Sequence, residues 1–362
     1  MTAPTDTTTR FDETRAESFA EGLMAKINDA SLALMTSIGH RTGLFDALAQ
    51  LDWVSSDRIA EFAGLNERYV REWLGAMVTG RVVEYRTDDR TYRLPAEHAA
   101  CLTRSAGGNN IAQTMQWFAV LGGVEDKVID KFKHGGGVHY CEFDRFHEVM
   151  ASESDNTVVN ALREHILPLV PGLIDQLQLG IRVLEIGCGS GRATCRLAEL
   201  FPNSTITGYD LCAEAIEAGQ QIRQARGLSN ATLAVNDITN LRETGEFDLV
   251  LAFDVIHDQK APAVVLANVF KALRSGGVFL MQDIAASSHL ENNMDHVLGP
   301  FFYTISTMHC MTVSLAQGGD GLGTVWGEEL AAKMLGESGF VDIEIRQLPH
   351  DIINNYYVMT RP

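Results

Sequence analysis

The 362-residue sequence has no long apolar run, no close cysteine pair and no surplus of positive charge. No stretch approaches the roughly 18 apolar residues that a membrane-spanning helix needs, so no membrane partner is expected. Residues 1–10 are polar and threonine-rich and lack the apolar centre of a secretory signal. Residues 1–15 are expected to be a disordered tail. The six cysteines (Cys101, Cys141, Cys188, Cys195, Cys212 and Cys310) are scattered without a CxxC spacing. That argues against a disulfide framework and for reduced, mostly buried thiols in a cytoplasm. Basic residues number 29 against 47 acidic ones, a formal net charge of −18. Binding to a phosphate backbone needs the opposite sign, so nucleic acid is not an expected partner. The same negative field suits a cationic small ligand.

What is present describes an ordinary globular chain, 46% hydrophobic and 21% charged and long enough for two domains. Residues 16–104 read as a helical, winged-helix domain used for dimerisation. Residues 23–48 carry Ala, Leu, Met and Ile on more than one helical face, which requires burial on several sides, by a partner subunit or a second domain. Ser56 offers an N-cap for a helix over 57–63, Gly64 breaks it, and Asn66 caps a second helix running to Thr79. Residues 82–85 and 91–94 then alternate as two strands around Thr87-Asp88-Asp89. Helix-turn-helix plus hairpin is a winged helix. Residues 55–94 hold seven Arg, seven Asp or Glu and no Lys, so a DNA-binding regulator is the weaker reading of this domain.

Residues 105–179 read as a helical linker and lid region, with Gly135-Gly136-Gly137 as a mobile lid or pocket loop. His134, His139 and Cys141 lie around it without the spacing of a zinc motif. Residues 180–362 alternate strands (182–186, 205–210, 232–235, 248–253, 278–282, 341–346 and 356–359) with helices (192–200, 213–225, 262–273 and 328–338). Such alternation predicts an α/β fold: a Rossmann-like, seven-stranded, mostly parallel sheet with helices on both faces. Ligands of such sheets sit at the carboxyl ends of the strands.

The turn after the first strand of this domain reads Glu185-Ile186-Gly187-Cys188-Gly189-Ser190-Gly191. Glycines there let the backbone turn tightly and approach a ligand. A dinucleotide fingerprint would place Gly or Ala where Arg192 stands, and no Gly-Lys-Ser/Thr of a phosphate loop follows. The GxGxG spacing after an acidic residue resembles motif I of class I methyltransferases. That resemblance implies S-adenosylmethionine as cofactor and S-adenosylhomocysteine as product. In it, Glu185, Gly187, Gly189 and Gly191 form the cradle, and Asp210, followed by Leu211, accepts the ribose hydroxyls. Asp237 and Ile238 receive the adenine, and Phe253 and Asp254 line the methionine end. Leu273-Arg274-Ser275-Gly276-Gly277-Val278 resembles the turn before strand five of the same family.

A winged helix joined to this domain resembles plant-type small-molecule O-methyltransferases and their bacterial relatives, in which the N-terminal region forms a homodimer and part of the pocket wall. Val255-Ile256-His257-Asp258 looks like the Leu-His-Asp-Trp segment of that family, with Gln259 in place of the Trp. The resemblance makes His257 the general base and Asp283 the first of two flanking carboxylates. The second falls on Val325, with Asp320 as a stand-in if the loop shifts. Phe146-His147-Glu148-Val149-Met150 resembles the family's Phe-Asn-x-x-Met segment, so Phe146 and Met150 would pack on the acceptor and Ser154 would lie near the cofactor. Tyr140, Phe302 and His309 complete the expected pocket, the last two on an apolar wall over 294–314. Magnesium-dependent relatives carry an Asp-Asn pair after strand five, whereas Ile284 follows Asp283 here, so no metal is expected.

The expected chemistry is methylation of a hydroxyl on a small, partly hydrophobic or aromatic molecule. An imidazole, ordinarily titrating near 6.5, suits removal of a phenolic proton. Nitrogen or carbon acceptors that need no base remain alternatives, as does a cofactor-sensing regulator.

Overall fold

The computed structural model describes residues 11–362. It divides into two compact units, Met1–Ala119 and Val120–Pro362. Residues 1–10 of the expected disordered tail lie outside the described residues. The rest of that expectation fails at Glu13, where a 30-residue helix, Glu13–Thr42, begins. The Asp12 side chain starts it by accepting a hydrogen bond from the Arg15 amide at 3.0 Å, satisfying one of the free N–H groups of the first turn. Gly43, at φ 75°, ends it.

Within the first unit, the helices Leu44–Leu48, Ser56–Ala63 and Glu67–Thr79 precede a hairpin of β1 (Glu84–Arg86) and β2 (Thr91–Arg93). Leu44, Phe45, Leu48, Ile59, Trp73, Leu74 and Met77 form its core. Asn66 caps its helix through the Arg68 amide at 3.1 Å. Ser56 does not cap the preceding helix. Ser55 occupies the cap position and the Ser56 hydroxyl instead donates to Glu67 across the turn at 2.7 Å. Phe19, Leu23, Met24, Ile27, Leu34 and Ile38 are exposed on the long helix, so the several-sided burial expected for this stretch is not met within one chain.

The second unit holds a seven-stranded sheet of β3 (Arg182–Ile186), β4 (Thr205–Asp210), β5 (Ala231–Val235), β6 (Phe247–Phe253), β7 (Leu273–Ile284), β8 (Val341–Leu348) and β9 (Asp351–Thr360). Its order is β5-β4-β3-β6-β7-β9-β8, parallel throughout except that β9 runs antiparallel to both neighbours. Side chains alternate between the faces with period two. Val183, Leu249, Leu251 and Leu280 enter one apolar layer, and Leu184, Ile186, Val250, Phe279 and Met281 the other.

The expected linker over 105–179 is a separate region only in part. Val158, Leu162, Ile166, Leu167, Leu173 and Leu177 pack in the same layer as Val183, Phe201 and Leu251, so this segment is part of the sheet's core. Gly135-Gly136-Gly137 is likewise not free along its length. A Cβ on Gly137 would come 1.9 Å from the Thr312 carbonyl oxygen, and the Val138 amide donates to Thr312 Oγ1 at 2.9 Å. That contact pins the segment leading to Tyr140.

Candidate active site

The chain runs from β3 outward to β5 and then crosses to β6, so the strand order reverses between β3 and β6. At this switch point two strands diverge from each other's connections and leave a crevice at their carboxyl ends. The turns there touch: a Cβ on Gly187, at φ 62°, would lie 2.4 Å from Val255. Only glycine fits that backbone and that space. Gly189 and Gly191 share the left-handed conformation (φ 52° and 64°), and at Gly189 a Cβ would meet nothing within 4 Å.

Beside this turn Asp210, the last residue of β4, accepts the Gly189 amide and the Cys212 amide, each at 2.8 Å. Glu185 lies beneath, fully within the core, accepting a hydrogen bond from the Thr194 hydroxyl of the following helix, Arg192–Leu200. Burial pushes its carboxyl up to about 7, against the lowering effect of Thr194. Leu211 is exposed and Ile238 belongs to the core. Asp237 caps the turn Ile238–Asn240, accepting from the Thr239 amide at 3.0 Å, and pairs with Lys260 at 2.9 Å. Phe253 closes β6, and Asp254 follows at φ 54°, with its Oδ1 buried and unpartnered. Burial and the nearby Asp283 carboxylate raise the Asp254 carboxyl well above its ordinary range, although His257 opposes this.

Next along the crevice is a charged cluster out of contact with water. His257, 3% exposed, bonds through Nδ1 to Asp283 Oδ1 at 2.7 Å, and Asp283 is 0% exposed. The same Asp283 oxygen accepts the Trp326 indole N–H at 2.9 Å and the Ile284 amide at 2.9 Å. On the other side of the ring, Nε2 lies 3.3 Å from Asp258 Oδ1 without hydrogen-bond geometry. Burial disfavours charge on this imidazole, but the Asp283 and Asp258 carboxylates outweigh it and hold its pKa well above the ordinary value.

Asp258 leads to the aromatic residues. Its Oδ2 accepts the Tyr140 hydroxyl at 3.4 Å and lies 3.9 Å from His309 Nδ1. His309, in the π-helical turn Ser306–Cys310, stacks on Phe146 at 3.9 Å with an interplanar angle of 8°. Tyr140 and Phe143 present their rings edgewise to it at 4.9 and 4.8 Å. Met150 and Ser154 sit half-buried on the helix Phe146–Ser154, whose Ala151 carbonyl accepts from Arg192 just beyond the glycine turn.

The fold thus brings together Gly187, Gly189 and Asp210 at one end, and His257, Asp283, Tyr140, Phe146 and His309 at the other. Phe302 is buried on the helix Gly299–Ile305, its ring packing on His296 at 5.0 Å and Phe301 at 6.3 Å. Asp320 is no stand-in for the second carboxylate: it is exposed, and its amide bonds to the Lys260 carbonyl. One participant went unread in the sequence: Trp326, one residue past the position where the family resemblance puts the second acid, brings a donor instead. Asp258, next to His257 in the chain and a candidate to hold its tautomer, supplies the second carboxylate.

The donor set at the first end suits an adenosyl group. A carboxylate stands at the end of β4, open space lies over Gly189, and a buried oxygen of Asp254 has no hydrogen-bond partner.

Comparison with known proteins agrees with this geometry. Residues 177–327 match the family described as a methyltransferase domain, and residues 30–104 match the Rv2258c-like winged HTH domain. Malonyl-[acyl-carrier protein] O-methyltransferase of Bacillus cereus is 37% identical over 100 residues, 28% of this chain and 36% of that protein. Mitochondrial ubiquinone biosynthesis O-methyltransferase of Candida albicans is 33% identical over 29% of this chain and 32% of its own length. The similarity therefore spans about a third of these curated relatives. Among solved structures, human N-acetylserotonin methyltransferase in complex with S-adenosylmethionine superposes with a TM-score of 0.67 at 15% identity, over 98% of this chain and 99% of that one. An O-methyltransferase family protein of Burkholderia thailandensis gives 0.66 at 15% identity, over 94% and 98%. The chain joins a Rv2258c-like winged helix-turn-helix domain to a methyltransferase domain with the fold of the S-adenosylmethionine-dependent enzymes.

Proposed function

We propose that the protein transfers a methyl group from S-adenosylmethionine to a hydroxyl of a small, partly hydrophobic or aromatic acceptor. The observation that carries this reading is the pairing, at one switch point, of an open glycine turn and its Asp210 carboxylate with a buried, carboxylate-flanked imidazole. When bound, the cofactor supplies an electrophilic methyl carbon on a sulfonium. The protein's own part is to hold and orient. Asp210 offers lone pairs to the ribose hydroxyls, and Gly189 leaves room above the turn. Asp237 and Ile238 border the adenine position, and Asp254 with Phe253 borders the methionine end. Positioning of this kind can contribute roughly 7 to 11 kcal/mol at best.

Aromatic side chains around the acceptor end (Tyr140, Phe143, Phe146) favour a flat, partly apolar acceptor. A hydroxyl acceptor is favoured over an amine because the site invests two imidazoles and two carboxylates in handling protons. The base role is assigned to His257 by family resemblance, with a carboxylate facing each ring nitrogen.

Calorimetric titration with S-adenosylmethionine and S-adenosylhomocysteine, followed by a panel of phenols as acceptors, tests the proposal. Absence of binding to both ligands would sink it. His257→Ala is expected to lower kcat more than roughly tenfold while leaving S-adenosylhomocysteine affinity intact. Near-normal turnover of that variant would shift the reading to an acceptor that needs no base.

The protein is further proposed to be a homodimer through its first unit. Phe19, Leu23, Ile27, Leu34 and Ile38 recur at helical spacing on one exposed stripe, which isolated chains rarely leave uncovered. Sedimentation at micromolar concentration should give a dimer, and replacing Leu23 and Ile27 by Glu should give monomers.

A further inference from the structure

We infer that His257 Nε2, Asp258 Oδ1 and Cys310 Sγ form a site for a thiolate-seeking divalent cation such as Zn2+. An ion bound there holds methyl transfer off by occupying the nitrogen that serves as base. The holding-off rests on the methyltransferase reading above, whereas the site itself rests on this geometry alone.

Four observations carry it. First, the three ligand atoms lie within 4.8 Å of one another, and the imidazole nitrogen and carboxylate oxygen are 3.3 Å apart. In a tetrahedral zinc site, metal–ligand lengths of about 2.0–2.3 Å put neighbouring ligand atoms roughly 3.3–3.6 Å apart. Second, Asp258 Oδ1 is buried with no hydrogen-bond partner, although His257 Nε2 stands beside it. A buried oxygen left so is costly, and a bound cation would remove that cost. Third, two of the ligands are held from behind. Asp283 Oδ1 bonds His257 Nδ1 at 2.7 Å, the arrangement that orients metal-bound imidazoles. The Tyr140 hydroxyl donates to the other Asp258 oxygen at 3.4 Å.

Fourth, the donors match such an ion in charge and in softness. The Cys310 thiolate and the Asp258 carboxylate bring two negative charges, and Asp283 adds a third behind the ring, in a place where unbalanced charge is costly. A thiolate beside an imidazole selects zinc-like ions, whereas magnesium and calcium prefer oxygen ligands alone. His257 and Cys310 are 3% and 6% exposed, so the ion would be shielded from bulk water. Thr324, 1% exposed, has a buried hydroxyl with no hydrogen-bond partner beside the Cys310 thiol, placed to hold a water in the fourth position.

Binding changes no oxidation state. The Cys310 S–H bond breaks and its proton leaves to solvent, together with any proton on His257 Nε2. Sulfur, nitrogen and oxygen each give an electron pair to the ion. With its Nε2 lone pair committed, His257 takes no proton from an acceptor until the ion is removed.

The test uses the full chain stripped of metal by a chelator, with Co2+ as spectroscopic probe and Zn2+ as competitor. Cobalt should bind at one ion per chain with a near-ultraviolet sulfur-to-metal absorption, and Zn2+ should displace it. Cys310→Ala should abolish that absorption and weaken Zn2+ binding by roughly a hundredfold or more on calorimetry. Asp258→Asn should weaken Zn2+ binding while keeping the sulfur absorption, and thermal unfolding checks that both variants are folded. Nitrogen NMR should show the His257 Nε2 resonance shifted by Zn2+. S-adenosylhomocysteine affinity should change by less than about twofold with the ion bound, because the ion lies at the acceptor end. Cobalt without sulfur absorption in wild type, or Zn2+ affinity unchanged in Cys310→Ala, overturns the site. A His257 Nε2 resonance that Zn2+ leaves unmoved overturns the holding-off. Wild type that binds cobalt through sulfur but not S-adenosylhomocysteine defeats the methyltransferase reading and leaves the site standing.

Discussion

The two ends of the crevice are built in different ways. The cofactor end is made of backbone and of residues close in sequence: a glycine turn, the ends of β3 and β4, and one carboxylate accepting two amides. The acceptor end is made of side chains from four separate segments, carrying Tyr140, His257, Asp283 and His309, and Trp326 enters from a fifth. Backbone geometry tolerates little change at any single point. A side-chain cluster has several members, and each can fail separately and measurably.

Asp210→Ala should break the comparison at its cofactor end most severely. It removes two hydrogen bonds to a charged group within the turn, each worth about 1.5–3 kcal/mol, and on the proposed reading those to the ribose as well. S-adenosylhomocysteine affinity should fall by roughly a hundredfold or more on calorimetry. Loss of less than tenfold would mean that Asp210 only braces the loop.

Glu185→Gln comes next, through pH. In the fold the Glu185 carboxyl titrates at about 7, above its ordinary value of 4.5. Below 4.5 both folded and unfolded chains hold the proton. Between 4.5 and about 7 only the folded chain does, so stability falls as pH rises through this window and levels off above it. The total loss is about 3 kcal/mol from the shift. Urea midpoints measured from pH 4 to pH 8 should show this slope in wild type and a flatter one in the Gln variant. Parallel curves would remove Glu185 as its source.

Trp326→Phe is the smallest of the three and sharpens the contrast. It deletes the indole donor to Asp283, worth about 1.5–3 kcal/mol, while leaving the glycine turn untouched. A Tm lower by several degrees and a reduced kcat are expected, with S-adenosylhomocysteine affinity within about twofold of wild type. An equal loss of cofactor affinity would show that the two ends are coupled.

Much of the second unit could be read along the chain. The strands over 182–186 and 205–210 and the helices over 192–200 and 213–225 fall where their patterns put them, because short β-branched runs and capped amphipathic stretches are local signals. The segment over 158–177 was not legible as core, since its apolar residues match a linker helix as well as one packed on a sheet. The missing second carboxylate also misled. A count along the chain ended on Val325, while the fold turned the adjacent Trp326 inward and used Asp258 on the far side of the ring.

By itself the sequence determined the alternation that makes a parallel sheet, the glycine spacing of the turn and the carboxylates that end β4 and β7. These depend on backbone conformation and side-chain period, which are properties of neighbouring residues. Only the tertiary structure decided that His257 sits between two carboxylates and that His309 sits among aromatic rings. That depends on how far Asp258 stands from His257 and His309, which lie on segments 52 residues apart, and on what burial does to charge there.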